Sequence, residues 1–167
     1  MMDITWTHLT QTLNAFADTF ISIARGYLES NGTNASGELR DSLEKIVEIG
    51  EDSYSVKISL ADYWYYVENG RGPGKFPPPD AIRNWIEVKP VEAYPGLNGR
   101  TPTVEQLAFL IGRKIANEGT EPQPFFEPAK EEAIRQFSQA IDDAIAQDVD
   151  EWIERIVEDG MRKTFSK

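Results

Sequence analysis

The stretch Leu43-Glu44-Lys45-Ile46-Val47-Glu48-Ile49-Gly50-Glu51-Asp52-Ser53-Tyr54-Ser55-Val56-Lys57-Ile58-Ser59 decides the fold class. Its second half sets Tyr54, Val56 and Ile58 against Ser55, Lys57 and Ser59, the period of two of a half-buried strand. Its first half carries Ile46, Val47 and Ile49 and runs extended from about Leu43; the preceding Glu38 to Lys45 fits a helical turn equally well. Gly50-Glu51-Asp52 between the halves is turn chemistry, so the two pair as a hairpin. The rest of the chain reads as helix and loop. The expected class is therefore α+β: a long N-terminal helix, a small antiparallel sheet or hairpin, several short helices and a long C-terminal helix.

On the N-terminal side, Trp6, Leu9, Leu13, Phe16, Phe20, Ile23 and Tyr27 alternate spacings of three and four, which places them on one helical stripe. Thr5 and Thr7 are the available caps and Asn31-Gly32 the stop. The stripe faces the protein's own sheet or a neighbouring subunit, and the internal face is the expectation. A linker rich in Gly, Asn and Ser follows from Asn31 to Gly37. Its two Asn-x-Ser/Thr triplets, at Asn31 and Asn34, read as turn residues in a chain without a recognisable secretion signal.

On the C-terminal side, Asp62 to Glu68 is a short aromatic segment ending at Asn69-Gly70. The loop Arg71-Gly72-Pro73-Gly74-Lys75-Phe76-Pro77-Pro78-Pro79 is too rich in proline for regular structure. Asp80 is expected to cap a short helix bearing Ile82, Trp85 and Ile86, and Pro90 to Pro102 forms an exposed excursion. Thr103-Val104-Glu105-Gln106 fits a capping box and opens a helix with Leu107, Leu110, Ile111 and Ile115 on one face, stopped by Gly119. Gln123 to Pro128 is an extended connector with Phe125 and Phe126 as buried anchors. The last tract, through Ile134, Phe137, Ile141, Ile145, Val149, Trp152, Ile156 and Val157, would be roughly 55 Å long if unbroken. It either projects toward a partner or breaks near Asp148 to Asp150. Residues 1–147 are accordingly assigned to one domain and 148–167 to a C-terminal helical extension of it.

Composition narrows the function. The chain has 167 residues, 40% of them hydrophobic, no cysteine and a formal net charge of -11. That length buries a core without staples, and no disulfide, thiolate metal site or cysteine nucleophile exists. Nowhere do about 18 apolar residues run together, as a membrane span requires. The acidic balance forfeits the counterion release that drives phosphate binding, which argues against a conventional nucleic-acid binder.

Reactive groups do not converge. His8, the single histidine, lies on a helix without neighbouring carboxylates in sequence and reads as a surface residue. The pairs Glu131-Glu132, Asp142-Asp143 and Glu158-Asp159 point about 100° apart on a helix, so they are solvated faces rather than ligand pairs. Gly70 to Lys75 has the look of a phosphate loop. The glycine-to-lysine interval is too short, Phe76 stands where Ser or Thr belongs, and prolines block the following helix. It reads instead as a mobile or partner-ordered loop. No catalytic residue, metal or cofactor is assigned.

A family resemblance rests on Tyr63-Trp64-Tyr65-Tyr66-Val67-Glu68-Asn69-Gly70-Arg71-Gly72, then Phe76-Pro77-Pro78-Pro79 and the Ile82/Trp85/Ile86 helix. Ala108-Phe109-Leu110-Ile111-Gly112-Arg113-Lys114-Ile115, Gly119-Thr120 and Pro124-Phe125-Phe126-Glu127-Pro128-Ala129 follow in order. This succession resembles the neck (head–tail connector, or tail-completion) family of tailed bacteriophages. It covers about residues 4 to 145 and leaves Val149 to Lys167 without a counterpart. The resemblance implies a non-enzymatic structural subunit, made in the host cytoplasm and incorporated in the virion. Six or twelve copies would form a ring coaxial with the portal. Portal, adaptor or stopper proteins and tail proteins would be its neighbours, and DNA would pass without specific binding or membrane contact.

Tyr and Trp give rigid contact area at low entropic cost, and arginine is enriched at interface cores. Tyr65, Tyr66, Glu68, Arg71, Lys75 and Phe76 are therefore expected at or beside a subunit or ring-to-ring contact, with Tyr63 and Trp64 in the core. A channel lined by this chain should have a net negative wall, which repels DNA phosphate. Two readings from other classes compete. A DNA-mimicking inhibitor of a host nuclease would need carboxylates in phosphate-like rows, whereas here lysine and arginine interleave. A carboxylate-dependent hydrolase of the bacterial wall would need paired acids that the spacing does not supply.

Overall fold

A computed structural model describes residues 3–32, 36–50, 53–89, 91, 93, 95 and 99–165. Parts of three sequence expectations lie outside the described residues: the middle of the 31–37 linker, the tip of the hairpin turn at 51–52, and much of the 90–102 excursion. Among the described residues the elements run α1 (Thr7–Ser30), α2 (Glu38–Asp41), β1 (Glu44–Ile49), β2 (Tyr54–Ser59), α3 (Trp64–Asn69), α4 (Pro79–Val88), α5 (Val104–Glu118) and α6 (Phe126–Phe165). The class is mixed, with six helices, one two-stranded antiparallel sheet and long helices at both ends. The region Glu38 to Lys45 contains both of the conformations expected of it, a single helical turn and then the start of β1.

The chain forms two compact units with interleaved segments. One comprises residues 1–24, 44–59 and 127–167; the other comprises residues 25–43 and 60–126.

In the first unit, α1 buries Leu9, Leu13, Ala17, Phe20, Ile21 and Ala24. The buried line therefore runs through two alanines, while Trp6, Phe16 and Ile23 of the expected stripe flank it half-buried. Helix α6 buries Ala129, Ala133 and Ala144 in the same unit. Phe16 meets Phe137 edge to face at 5.9 Å, a favourable geometry for the ring quadrupoles. The β1–β2 register pairs Val47 with Val56 and Lys45 with Ile58, leaving Val47, Ile49, Val56 and Ile58 half-buried. Tyr54, beside the turn, is half exposed instead. A lone hairpin is marginal in water; the Lys45 ammonium ties this one to α1 through Asp18 at 2.6 Å and the Asn14 carbonyl at 3.2 Å.

Of the two alternatives for the C-terminal tract, an unbroken helix or a break near Asp148 to Asp150, the structure has the first: one continuous 40-residue helix. No helix breaker interrupts it there, and among the described residues Asp148 is the only charged one buried in it. The Asp148 side chain reaches the start of α1: Oδ1 accepts from the Thr7 and His8 N–H groups at 3.1 and 2.9 Å, and Oδ2 from Leu9 at 2.9 Å. The first turn of α1 is thus capped by a residue some 140 positions away rather than by Thr5 or Thr7, and the carboxylate also sits at the positive end of the helix dipole.

In the second unit, Ile82, Ile86 and Ala108 are buried together, with Val91, Leu107 and Ile111 packed against them. Helix α4 begins at Pro79, a favoured first position. Asp80 does not cap it: the cap position is Pro78, which has no side-chain acceptor, and Asp80 pairs with Arg83 inside the first turn. Trp85 turns outward, with the Lys89 ammonium 5.8 Å above its ring. The capping box at Thr103 and Gln106 forms as expected, and Gly119 ends α5 at φ 82°. The Arg25 guanidinium holds the end of α2 and the residues after it, donating to the carbonyls of Arg40 and Leu43.

Candidate subunit interface

Five of the six residues expected at a contact lie on one continuous segment of the second unit, from α3 through the glycine- and proline-rich loop, and are accessible there. Helix α3 divides its aromatic run by side. Trp64 lies half-buried against Phe126, with ring centroids 5.1 Å apart. Tyr65 and Tyr66 point outward, each 58% exposed. Tyr63, expected in the core, is 39% exposed at the helix entrance; partial burial and then the Glu38 charge push its phenol up.

Glu68 is the exception. It is buried, and its Oε2 accepts the backbone N–H groups of Phe125 and Phe126, both at 2.8 Å. One helical turn on from the half-buried Trp64, it shares the inward side of α3 and anchors the connector where α6 begins. It therefore positions the site from within and is not an accessible contact residue. Phe125 beside it is fully buried, as expected, whereas Phe126 is half-buried and already helical.

The loop after α3 is pinned. Arg71 and Thr120 exchange backbone hydrogen bonds at 3.0 and 2.8 Å, and the Gly74 N–H donates to the Ala116 carbonyl at 2.9 Å. The Arg71 guanidinium closes back on the Lys75 carbonyl. Two glycines make the bridge possible. Gly70 has φ 71° and Gly119 φ 82°, and a Cβ at Gly119 would stand 2.0 Å from the Arg71 carbonyl oxygen. The loop expected to be mobile or ordered by a partner is held against the end of α5 by these bonds.

Phe76 closes the loop. It stacks on Phe109 at 5.8 Å between centroids, and its edge occupies the space a side chain at position 112 would need: a Cβ there would lie 2.4 Å from its ring. Gly112 is therefore the seat of Phe76. Phe109, Leu110 and Val104 are 57%, 43% and 40% exposed. Of the residues expected on one face of α5, Leu107 and Ile111 pack against the core, whereas Leu110 falls opposite the buried line through Ala108 and Gly112. A wide, shallow surface depression of about 460 Å³ is lined by Pro102, Glu105, Gln106, Phe109 and Leu110. A second of about 230 Å³ lies between Phe76, Pro79, Arg83, Glu105 and Phe109. The Glu105 carboxyl is held below its ordinary range, first by its own backbone N–H and then by the Thr103 hydroxyl.

The first unit holds a second cluster, which the sequence did not reveal. His8, Asp148 and Glu151 present ligand atoms within 4.8 Å of one another, spacing that would suit a metal ion. Asp148 is already committed to three backbone donors, and a helix N-terminus opposes a cation at the same point. The cluster reads as a structural tie. His8 Nε2 and Glu151 Oε1 are 2.9 Å apart, and this hydrogen bond is the main cause raising the imidazole above its ordinary value of 6.5. A raised folded value means the contribution is complete below pH 6.5 and is lost as pH rises through the raised value. Denaturant midpoints should therefore fall for the native chain between pH 5.5 and 8.5 by more than for His8→Gln. Equal pH slopes in the two proteins would contradict the tie.

No family model, no curated protein and no solved structure matches this chain.

Proposed function

We propose that this chain is a structural subunit of a ring at the head–tail junction of a tailed bacteriophage, coupling portal-side proteins to the tail while DNA passes through. The observation that carries the reading is the uncovered apolar surface of the second unit. Tyr65, Tyr66, Phe76, Phe109 and Leu110 are 41–58% exposed, although the residues beneath them are packed and hydrogen-bonded. Large exposed apolar side chains on a pinned scaffold are what an assembly contact needs, because little entropy remains to be lost when they are covered. The ordered succession of motifs from residue 63 to residue 129 supports the phage assignment in particular.

In this reading Tyr65, Tyr66, Arg71, Lys75 and Phe76 touch a neighbouring subunit or ring, and Glu68 holds their platform. The chain performs no catalysis and needs no cofactor. Its acidic balance serves DNA passage, with carboxylates on any surface that faces the channel.

The test is complementation of a phage genome lacking this chain. Particles without it should appear in electron micrographs as separate heads and tails. The native chain should restore joined particles, and Tyr65→Ser/Tyr66→Ser/Phe76→Ser should not, while keeping its folded circular dichroism. Normal tailed particles without the chain would reject the proposal. Deleting Arg71 to Lys75 is a poorer test, because it also removes the bridge to Thr120.

A further inference from the structure

The hairpin of the first unit has an unpaired edge on each side, and the two edges differ. Among the described residues β1 and β2 pair only with each other. The Gly50 N–H donates to the Ser53 carbonyl at 2.7 Å. The alternation of an antiparallel ladder from that pair points the backbone N–H and C=O groups of Tyr54, Val56 and Ile58 away from β1. On β1 the outward groups belong to Lys45, Val47 and Ile49. Among the described residues neither row makes a hydrogen bond.

Natural edge strands are guarded against addition by charge, proline or a bulge. Strand β1 is guarded: Glu44 and Glu48 are exposed on one face, and Lys45 puts an ammonium on the other, where it reaches Asp18 of α1. Strand β2 has no carboxylate, no proline and no bulge in its register. Lys57 is its one charge, and it is already paired with Glu48 of the same hairpin at 2.5 Å. The opposite face of β2 is apolar throughout, with Val56 and Ile58 half-buried and Tyr54 50% exposed. In a chain of net charge -11 two copies repel one another, and β2 is the edge of the hairpin that adds no carboxylate to that repulsion.

We infer that β2 pairs antiparallel with β2 of a second copy of this chain about a two-fold axis at Val56, giving one four-stranded sheet in the order β1-β2-β2-β1. The outward backbone groups require an extended partner, and β2 is its own complement. Val56 lies opposite Val56 of the second copy, and Tyr54 opposite its Ile58. Aromatic and β-branched residues facing each other across strands are favourable pairs, and Tyr54 is covered. On the other face Lys57 lies opposite Ser55 of the second copy, whose neighbour on β1 is Glu48. The two lysines then stand between the two glutamates, and no like charges face each other directly. A shift of the register one way sets Lys57 against Lys57, and a shift the other way sets Ile58 against the turn, so the side chains select this alignment. The contact is isologous and closes with two copies. It cannot repeat around a ring, so it is separate from the contact proposed above and does not rest on it.

The full-length chain tests this directly, and the absence of cysteine makes crosslinking clean. Sedimentation equilibrium up to about 1 mM chain should show a monomer–dimer equilibrium. Ser55→Lys sets an ammonium directly against Lys57 of the second copy, while in its own hairpin the new charge faces Glu48. It should weaken dimerisation at least about tenfold with circular dichroism unchanged. Adding Lys57→Glu to that variant should recover most of the loss. Val56→Pro removes an N–H that points away from β1 and should abolish the dimer; if that variant does not fold, Ser55→Lys carries the test. A mixture of Ser55→Cys and Lys57→Cys proteins should form a disulfide between the two faster than either forms with itself. A strictly monomeric native chain overturns the inference, as does a Ser55→Lys protein that dimerises like the native one, or a Ser55→Cys protein that crosslinks to itself as fast as to Lys57→Cys. Association beyond a dimer that all of these changes leave intact overturns it too, yet leaves the ring proposal standing on another surface. A dimer that behaves as expected, from a chain whose loss leaves phage particles normally tailed, retains the pairing and rejects the ring.

Discussion

Asp148→Ala is expected to lower the stability of the chain by about 4 kcal/mol, the largest effect of any single substitution considered. The carboxylate is fully buried and accepts three backbone N–H groups from the first turn of α1. Hydrogen bonds to a charged acceptor are worth about 1.5–3 kcal/mol each, and alanine would leave the buried Leu9 N–H without this acceptor and the part-buried Thr7 and His8 N–H groups to water. The three bonds share one residue and are not additive, which holds the total below their sum. For a chain of this length such a loss lowers the melting temperature by roughly 12 °C. Asp148→Asn, whose carboxamide oxygen still accepts but carries no charge, should lose about half as much. Calorimetry of the three proteins, with amide exchange at Leu9 as the local readout, checks the claim. An Asp148→Ala protein that melts with the native one would show that the first turn of α1 is capped some other way.

Glu68→Ala is expected to cost about 3 kcal/mol and to act on a different segment. Its carboxylate receives the N–H groups of Phe125 and Phe126, so its loss releases the connector that seats the fully buried Phe125 and begins α6. Two charge-assisted bonds inside the protein set the magnitude. Exchange protection should disappear first at Phe125 and Phe126, and limited proteolysis should cut between Gly119 and Phe126 before any other site. Glu68→Gln should retain much of the protection. The substitution also separates two roles for this residue. If Glu68 is a contact residue, its variants would impair assembly at native stability. If it is the internal anchor that its burial describes, assembly and stability should fall together.

The pattern common to both predictions marks the limit of what the residues alone disclose. Asp148 and Glu68 look in sequence like members of ordinary acidic stretches. Their importance comes from backbone donors 57 to 141 positions away, and no local periodicity encodes a partner at that distance. The same holds for His8, whose carboxylate neighbours arrive from α6, and for Phe76, whose seat at Gly112 depends on a side chain being absent. The exposed side of α5 has a related cause. Three-and-four spacing identifies that Leu107, Leu110 and Ile111 share a helix, but it cannot tell which side meets the core when a glycine and an alanine form the centre of the contact.

The amino-acid order by itself determined what depends on neighbours along the chain. The period of two at Tyr54 to Ser59, the capping box at Thr103 and the glycine stops at Gly32 and Gly119 are settled within a few residues by backbone sterics and local hydrogen bonding. So are the extents of the long terminal helices, apart from the continuity of α6. Tertiary structure decided what depends on remote groups: the capping of α1 by Asp148, the inward turn of Glu68, the pinning of the loop to Thr120, and the aromatic surface left uncovered. Burial is a property of what packs against a side chain, and only the folded chain brings those groups together.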